Sequence, residues 1–183
     1  QAMDSVNSEL RESLKVAQQR IQTIANIHEL LYGAESLSQL DFGENVKQLV
    51  RNLEDVYSKS EQISVNVDAD SIFLNINQAI PCALLVNEVI TNAFKHAFKN
   101  QEKGEINIKV REDGDKVVVT VKDNGIGISD NIMQETTSSI GMTLIKLLEK
   151  QLDGEIRYDN KNGTEFRLAF TKTEVKGIGS NLI

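Results

Sequence analysis

Apolar residues recur at heptad spacing through the first part of the chain. Residues 3–32 contain neither proline nor glycine. Steps of four and three residues fall on Leu10, Leu14, Ala17, Ile21, Ile24, His28 and Leu31. This spacing predicts a long helix with one apolar seam, and Gly33 follows as a candidate C-cap. No second stretch of comparable length could cover the seam, so we expect its partner to be a second copy or a helix upstream of residue 1.

The middle of the chain changes from helical to strand patterns and back. Residues 41–58 predict a second helix with its apolar positions on one face. These positions are Phe42, Val46, Leu49, Val50, Leu53 and Val56. Residues 63–70 and 72–77 alternate apolar and polar, which predicts two strands. Residues 79–98 predict a helix with Pro81 in its first turn, where proline is tolerated.

The second half of the chain predicts two more strand pairs and one helix. Residues 104–113 and 115–123 read as strands joined by a turn, residues 140–152 as a helix, and residues 154–160 and 163–170 as a closing hairpin. This order predicts an α/β two-layer sandwich, in which a mixed and mostly antiparallel sheet packs on helices.

Composition excludes several classes of function. The formal net charge of −7 leaves no basic footprint for nucleic acid or anionic lipid. A polyanionic ligand would therefore need positive groups focused in one pocket. The single cysteine, Cys82, excludes an internal disulfide and fits a reducing compartment. No apolar run approaches the ~20 residues of a membrane span, and no signal peptide is visible. We expect a cytoplasmic domain without nucleic-acid or membrane contact.

One predicted helix carries a polar face that suits phosphate chemistry. At α-helical spacing, Glu88, Asn92, Lys95 and His96 lie within roughly 100° of one another. An asparagine oxygen can ligate Mg²⁺, a carboxylate can orient or deprotonate water, and lysine and histidine can neutralise phosphate oxygens. An ordinary solvated face explains the same residues, so this helix alone decides nothing.

The stretch DNGIGIS follows a valine-rich strand. A hairpin turn is one interpretation, but the next ten residues do not alternate like a returning strand. In the functional interpretation, Asp123 accepts a hydrogen bond from an exocyclic amine, which selects adenine. Gly125 and Gly127 would then permit unusual backbone angles and close approach to a ligand. No G-x-x-x-x-G-K-[ST] motif occurs, so this is not a Walker loop.

Two later glycines begin the last predicted elements. Gly141 in SSIGMTL stands at the start of a helix, whose N–H groups suit phosphate oxygens. Gly163 and Thr164 in NGTEF start the last strand. A loop-to-helix junction and a hairpin turn are the structural alternatives for these two stretches.

The order of these motifs is more specific than any one of them. Over about residues 40–171 they resemble the N, G1, G2 and G3 boxes of one ATPase superfamily. It comprises the gyrase, heat-shock chaperone, mismatch-repair and histidine-kinase ATP-binding domains. The resemblance implies the Bergerat fold, with ATP under a lid at residues 129–140. One departure is that Met142 and Thr143 follow Gly141, where many members carry a second glycine, so lid closure over the γ-phosphate is expected to differ in detail.

The resemblance also implies roles for individual residues. Glu88 corresponds to the polarising or general-base position, Asn92 to the Mg²⁺ ligand, and Lys95 and His96 to phosphate contacts. Asp123 corresponds to the residue that reads adenine. The residues lining the site would be Gly125, Gly127, Gly141 and Thr164.

Two stretches favour a sensor histidine kinase. TNAFKHAF is more like the kinase N box than the gyrase or chaperone one. RIQTIANIHELLYG and LSQLDFGENVKQLV resemble a subgroup whose dimerisation hairpin ends in a helix with a His-Glu pair before LY. The resemblance implies that residues 1–35 form the second hairpin helix, with the first helix absent, and that residues 36–183 form the ATP-binding kinase domain.

The implied activity is transfer of the γ-phosphoryl group of Mg·ATP to a histidine, and from there to a response-regulator aspartate. The implied assembly is a homodimer of the full-length protein, and the chain would be cytoplasmic, alone or as part of a membrane-anchored sensor. In the subgroup the phosphorylated histidine lies on the first hairpin helix, upstream of residue 1. His28 is a poor acceptor because a seam position faces the partner helix, whereas an acceptor must present a ring nitrogen to ATP.

Two other functions stay open from the sequence. The chain could be a nucleotide-binding regulatory module, either an anti-sigma-factor-like serine kinase or an inactive ATP-binding scaffold. The long first helix weighs against this, since such a module needs no half of a dimerisation hairpin. A gyrase-like or mismatch-repair ATPase would require a transducer domain, which 183 residues cannot hold.

Overall fold

A computed structural model describes residues 39–57, 63–99, 101, 103–127 and 140–173, together with residues 10, 11, 14, 17, 18, 21 and 25 of an N-terminal helix. The first elements are β1 (Gln39–Asp41), α1 (Phe42–Tyr57), β2 (Ile63–Ala69), β3 (Phe73–Asn75), α2 (Ile76–Asn92) and a π-helical turn (Ala93–Ala97). The remaining elements are β4 (Gly104–Asp113), β5 (Lys116–Asp123), α3 (Ile140–Leu152), β6 (Glu155–Asp159) and β7 (Glu165–Thr171).

The main sheet has five strands in the order β2-β4-β5-β7-β6. Strands β2 and β4 are parallel, and the other three pairs are antiparallel. A parallel pair needs a crossover connection, and α2 lies in the connection between β2 and β4. Alternate residues of the strands join residues of α1, α2 and α3 in one buried core. The predicted two-layer sandwich with a mostly antiparallel sheet is confirmed.

The small sheet formed by β1 and β3 corrects the predicted strand at residues 72–77. Only Phe73–Asn75 is extended, and it pairs with β1 rather than joining the main sheet. The strand ends where Asn75 becomes the N-cap of α2, its side chain accepting from Gln78 N at 3.1 Å. Helix α2 therefore begins at Ile76, before the predicted start, and Pro81 lies in its second turn rather than its first.

The predicted apolar face of α1 is buried in all but one position. Phe42, Val46, Leu49, Val50 and Leu53 are buried, whereas Val56, near the end of the helix, is 38% exposed.

The N-terminal helix shows part of the predicted seam. Leu10, Leu14 and Ile21 are 56%, 61% and 68% exposed, as expected for a seam whose partner is not in this chain. His28 and Gly33 lie outside the described residues. No helix in the described part of the chain is both long and apolar enough to cross a membrane.

Candidate functional site

Asp123 stands at the end of β5 with its carboxylate held by two backbone amides. The side chain is only 6% exposed. Its Oδ1 accepts from Gly125 N at 2.9 Å and from Thr164 N at 3.1 Å. Its own N–H donates to Thr164 O at 2.9 Å. Among the residues that the structure describes, Oδ2 has no donor. One oxygen is thus fixed by the protein, and the other can accept a hydrogen bond from a ligand.

Gly163 lets the β6–β7 turn pack directly on Asp123. Its φ is +100°, and a Cβ there would lie 2.0 Å from the carbonyl oxygen of Asp123. No other residue fits this approach without moving the backbone. From the sequence, Gly163 is predicted only at the start of the last strand and not as a residue of the site. Its signal was the Asn-Gly dipeptide, which is also an ordinary turn signal.

The loop after Asp123 is fastened at two points. Asn124 exchanges hydrogen bonds with Glu105 at the start of β4, through its backbone N–H at 3.2 Å and its side-chain Oδ1 at 2.8 Å. Ile126 N donates to Ala97 O at 2.9 Å. Because β5 pairs with β4 and β7, the hairpin interpretation of DNGIGIS is wrong. Gly127 has a φ of +77°, as its predicted unusual backbone angle requires.

Helix α2 places Glu88 and Asn92 one turn apart on the same face. Glu88 is 3% exposed and Asn92 is half-buried. Beyond Asn92 the helix continues as the π-helical turn. Hydrogen bonds in a π-helix span five residues rather than four, so each residue turns the chain by less than the α-helical 100°. The predicted α-helical spacing therefore holds for Glu88 and Asn92. Lys95 and His96 lie on a wider turn that the sequence pattern did not predict.

Basic groups gather at the end of this helix. The pKa of His96 is lowered from its usual value, first by burial and then by Lys99 and Lys95. In a chain with a net charge of −7, Lys95 and Lys99 beside His96 form the kind of local positive region that a phosphate ligand needs.

Gly141 lies in the first turn of α3, as predicted. Residues 129–139 of the predicted lid lie outside the described residues. The structure thus brings together Asp123, Gly125 and Thr164, and it places Glu88 and Asn92 on one helix face.

The described residues fit ATP and a magnesium ion that arrives with it. Oδ2 of Asp123, which has no donor among the described residues, suits an amine donor. The Asn92 side chain makes no hydrogen bond to any described residue. The described part of the chain holds no group of three or more His, Cys, Asp or Glu suited to a metal. Mg²⁺ commonly uses one or two protein oxygens, substrate phosphates and water, so a site with few protein ligands is suitable.

Comparison with known proteins identifies this arrangement. Residues 77–174, which include α2, the Asp123 loop and the β6–β7 turn, match the family model described as histidine kinase-, DNA gyrase B-, and HSP90-like ATPase. The chain belongs to this ATPase family. A second model, described as histidine kinase, matches residues 1–57 of the ATPase chain. The resemblance noted from the four boxes is confirmed, and the ATPase is of the histidine-kinase catalytic type.

Two histidine kinases and one serine-protein kinase are similar to this chain. Sensor histidine kinase PdtaS of Mycobacterium tuberculosis strain H37Rv is 27% identical over 169 residues, covering 90% of this chain and 34% of PdtaS. The histidine kinase domain of the Erythrobacter litoralis EL346 blue-light activated histidine kinase shares the fold. Its TM-score is 0.79 at 22% identity, over 93% of this chain and 83% of that one. Serine-protein kinase RsbW of Listeria innocua is 50% identical over 42 residues, 23% of this chain and 27% of RsbW. The ATPase chain spans about a third of the length of PdtaS.

Proposed function

We propose that this chain is the catalytic core of a sensor histidine kinase. It binds Mg·ATP and transfers the γ-phosphoryl group to a histidine on a helix outside this chain, for relay to a response-regulator aspartate. The full-length protein acts as a homodimer. The observation that carries the proposal is the Asp123 carboxylate, with Oδ1 fixed by two backbone amides and Oδ2 left to accept from adenine.

Each side chain has a role that its position supports. Asp123 Oδ2 accepts the N–H of the exocyclic amine, and the half-buried Asn92 supplies an oxygen to Mg²⁺. Lys95 and His96 donate to phosphate oxygens from the end of the helix. When bound, Mg·ATP supplies a phosphoryl group that passes to a ring nitrogen and leaves ADP.

The buried Glu88 polarises the phosphate end of the site. Gly141 offers N–H groups of the first turn of α3 to phosphate oxygens. Gly125, Gly127 and Thr164 hold the backbone around the base.

A second candidate is a regulatory serine kinase. The 42-residue similarity to RsbW favours it. The match of residues 1–57 to a histidine kinase model weighs against it, because that match includes the N-terminal helix and α1.

The sharpest test of the site is Asp123→Asn. The asparagine Oδ1 can still accept from Gly125 N and Thr164 N, so the loop keeps its shape. Its NH₂ group then faces the ligand where Oδ2 stood. A donor facing the adenine amine is unfavourable, and we expect affinity for a non-hydrolysable ATP analogue with Mg²⁺ to fall by about tenfold or more. The same NH₂ can donate to the 6-oxo group of an inosine triphosphate analogue.

Calorimetry with both analogues measures this exchange of preference. Asp115→Asn is the matched control, since Asp115 is an exposed carboxylate in the turn at the other end of β5. Unchanged preference in Asp123→Asn, with binding intact, would contradict the assignment of the base reader. Absence of binding by the folded wild-type chain would leave an inactive scaffold.

A further inference from the structure

The loop after Asp123 contacts the π-helical turn at Ala97, the last residue of that turn. A Cβ on Gly125 would lie 2.3 Å from Ala97 O and 2.6 Å from Ala97 Cβ. Ile126 N donates to the same carbonyl at 2.9 Å. The last carbonyls of a helix lack partners within the helix, and here the loop after Asp123 supplies one. The helix end and the loop are therefore in direct backbone contact.

The two partners of this contact belong to different parts of the site. The loop includes Gly125, which holds Asp123 Oδ1. The π-helical turn, which follows Asn92 directly, carries Lys95 and His96. On the proposed function, the loop reads the base and the turn contacts the phosphates. A ligand that spans both halves depends on their separation, whereas a ligand that touches one half does not.

The wider turn is what brings Ala97 to the loop. A helix that kept α-helical hydrogen bonds through residue 97 would rotate each residue further and direct this carbonyl elsewhere. The far side of the turn is also held, because Phe94 stacks on Tyr57 of α1 with ring centroids 5.2 Å apart and planes 9° from parallel. Ala97 itself is 6% exposed, so its methyl group has no free space beside Gly125.

We propose that Ala97 is a positioning residue that sets the distance between the base-reading loop and the phosphate-contacting turn. Its carbonyl holds Ile126 N, and its small side chain lets Gly125 approach. The proposal rests on the proposed nucleotide site and adds a residue that touches no ligand. If Ala97 has this role, a substitution there changes the affinity for a ligand that spans both halves more than the affinity for a ligand that contacts only the base half.

The test compares adenosine, which reaches only the base half, with a non-hydrolysable ATP analogue and Mg²⁺, which spans both. Ala97→Val adds bulk against Gly125. We expect it to weaken the ATP analogue by about tenfold or more while leaving adenosine affinity nearly unchanged. Ala93→Val is the matched control. Ala93 begins the same turn and is also 6% exposed, but it has no hydrogen bond to the loop among the described residues.

A second pair of variants probes the contact from the loop side. Ile126→Pro removes the N–H that donates to Ala97 O. Like Ala97→Val, it is expected to weaken binding of the ATP analogue more than binding of adenosine. Ile126→Ala keeps the N–H and should resemble wild type, because the Ile126 side chain is 61% exposed. This pair decides the question even where Ala97→Val does not fold.

The outcomes separate the two proposals. Equal losses of affinity for adenosine and for the ATP analogue in Ala97→Val and Ile126→Pro, or no loss, would overturn the positioning role. Binding of both ligands by the wild-type chain would still support the nucleotide site. A folded wild-type chain that binds neither ligand would overturn the proposed function, and the positioning role with it.

Discussion

Asp123 shows how one carboxylate serves both structure and recognition. Its Oδ1 is needed by Gly125 N and Thr164 N, which are two buried or half-buried amides that would otherwise lack partners. Its Oδ2 is left for a ligand. Removal of the side chain would therefore disturb two elements as well as the binding of a base, which is why Asp123→Asn is more informative than Asp123→Ala.

Gly163 provides a stability prediction at the same place. We expect Gly163→Ala to lower the free energy of unfolding by more than about 2 kcal/mol, since it combines an unfavourable φ with a backbone clash. Gly114→Ala is the control, because Gly114 also has a positive φ, +63°, but nothing lies within 4 Å of its added Cβ. Gly114→Ala should lower the free energy of unfolding by about 1 kcal/mol. Urea unfolding followed by circular dichroism measures the free energy of both variants, and equal decreases would contradict the backbone clash at Gly163.

Sequence could predict Asp123 and the glycines after it, because their type and spacing are local. Gly163 and Ala97 matter for another reason. Each touches a residue far away in the chain, and such contacts arise only when the sheet and helices assemble. A small residue in a helix or an Asn-Gly turn carries no mark of that contact.

Tyr158 provides a prediction that depends on pH. Its hydroxyl is buried and has no hydrogen-bond partner among the described residues, while its ring meets Phe166 edge-on at 5.3 Å. Burial, then the charge of Glu149, raises the pKa of Tyr158 from 10.0 to about 12. Since the folded chain holds this proton more tightly than the unfolded chain, stability from this group is complete below pH 10 and is lost as pH rises toward 12.

Tyr158→Phe tests both the unpartnered hydroxyl and the raised pKa of Tyr158. It removes an unsatisfied buried hydroxyl, so we expect the free energy of unfolding to stay equal or to rise by about 1 kcal/mol. Ultraviolet titration of wild type should show a late tyrosinate phase near pH 12 that the variant lacks. Tyr57→Phe serves as the control and should retain the late phase. A marked loss of stability in Tyr158→Phe would reveal a partner for the hydroxyl.

At the scale of elements, periodicity predicted the long helices and strands well. Strand β4 and helix α3 have the predicted bounds, because ten to thirteen residues carry several repeats of their period. The three-residue β1 offers no measurable period and was missed. The start of α2 was also missed, although Asn75 is an ordinary N-cap residue. In the fold, Asn75 and Gln78 also donate from their side chains, to Thr173 just after β7 and to Thr171 at the end of β7.

The π-helical turn is the element that most affects the site. Residues 93–97 have an ordinary helical composition, and their hydrogen bonds are set by what surrounds them. Tyr57 holds one side of the turn and the loop after Asp123 holds the other. A π-turn within a helix is often found at functional sites, and here it changes the direction of the basic side chains relative to Glu88 and Asn92.

At the scale of the molecule, the chain joins an exposed helical seam to a nucleotide-binding fold. The seam is exposed at Leu10, Leu14 and Ile21. Heptad seams of this kind are covered by a second helix, so we expect a helix outside this chain to pack on it. The boundary predicted near residue 35 stays a prediction, as does the homodimer. If the N-terminal helix and the nucleotide-binding domain are separate units, the acceptor histidine must be brought to the nucleotide by a helix outside this chain.

Phosphate transfer within the isolated chain tests this separation. We expect the chain, incubated with Mg²⁺ and γ-labelled ATP, to gain no acid-labile phosphate, because a histidine at the predicted seam position would face a partner helix rather than the nucleotide. Label is measured on neutral gels before and after acid treatment. His28→Gln is the control variant, and an acid-labile label that it abolishes would contradict the expectation. Acid-stable label on an added partner protein would instead favour the serine kinase. Nucleotide binding by the same sample distinguishes a missing acceptor from an inactive site.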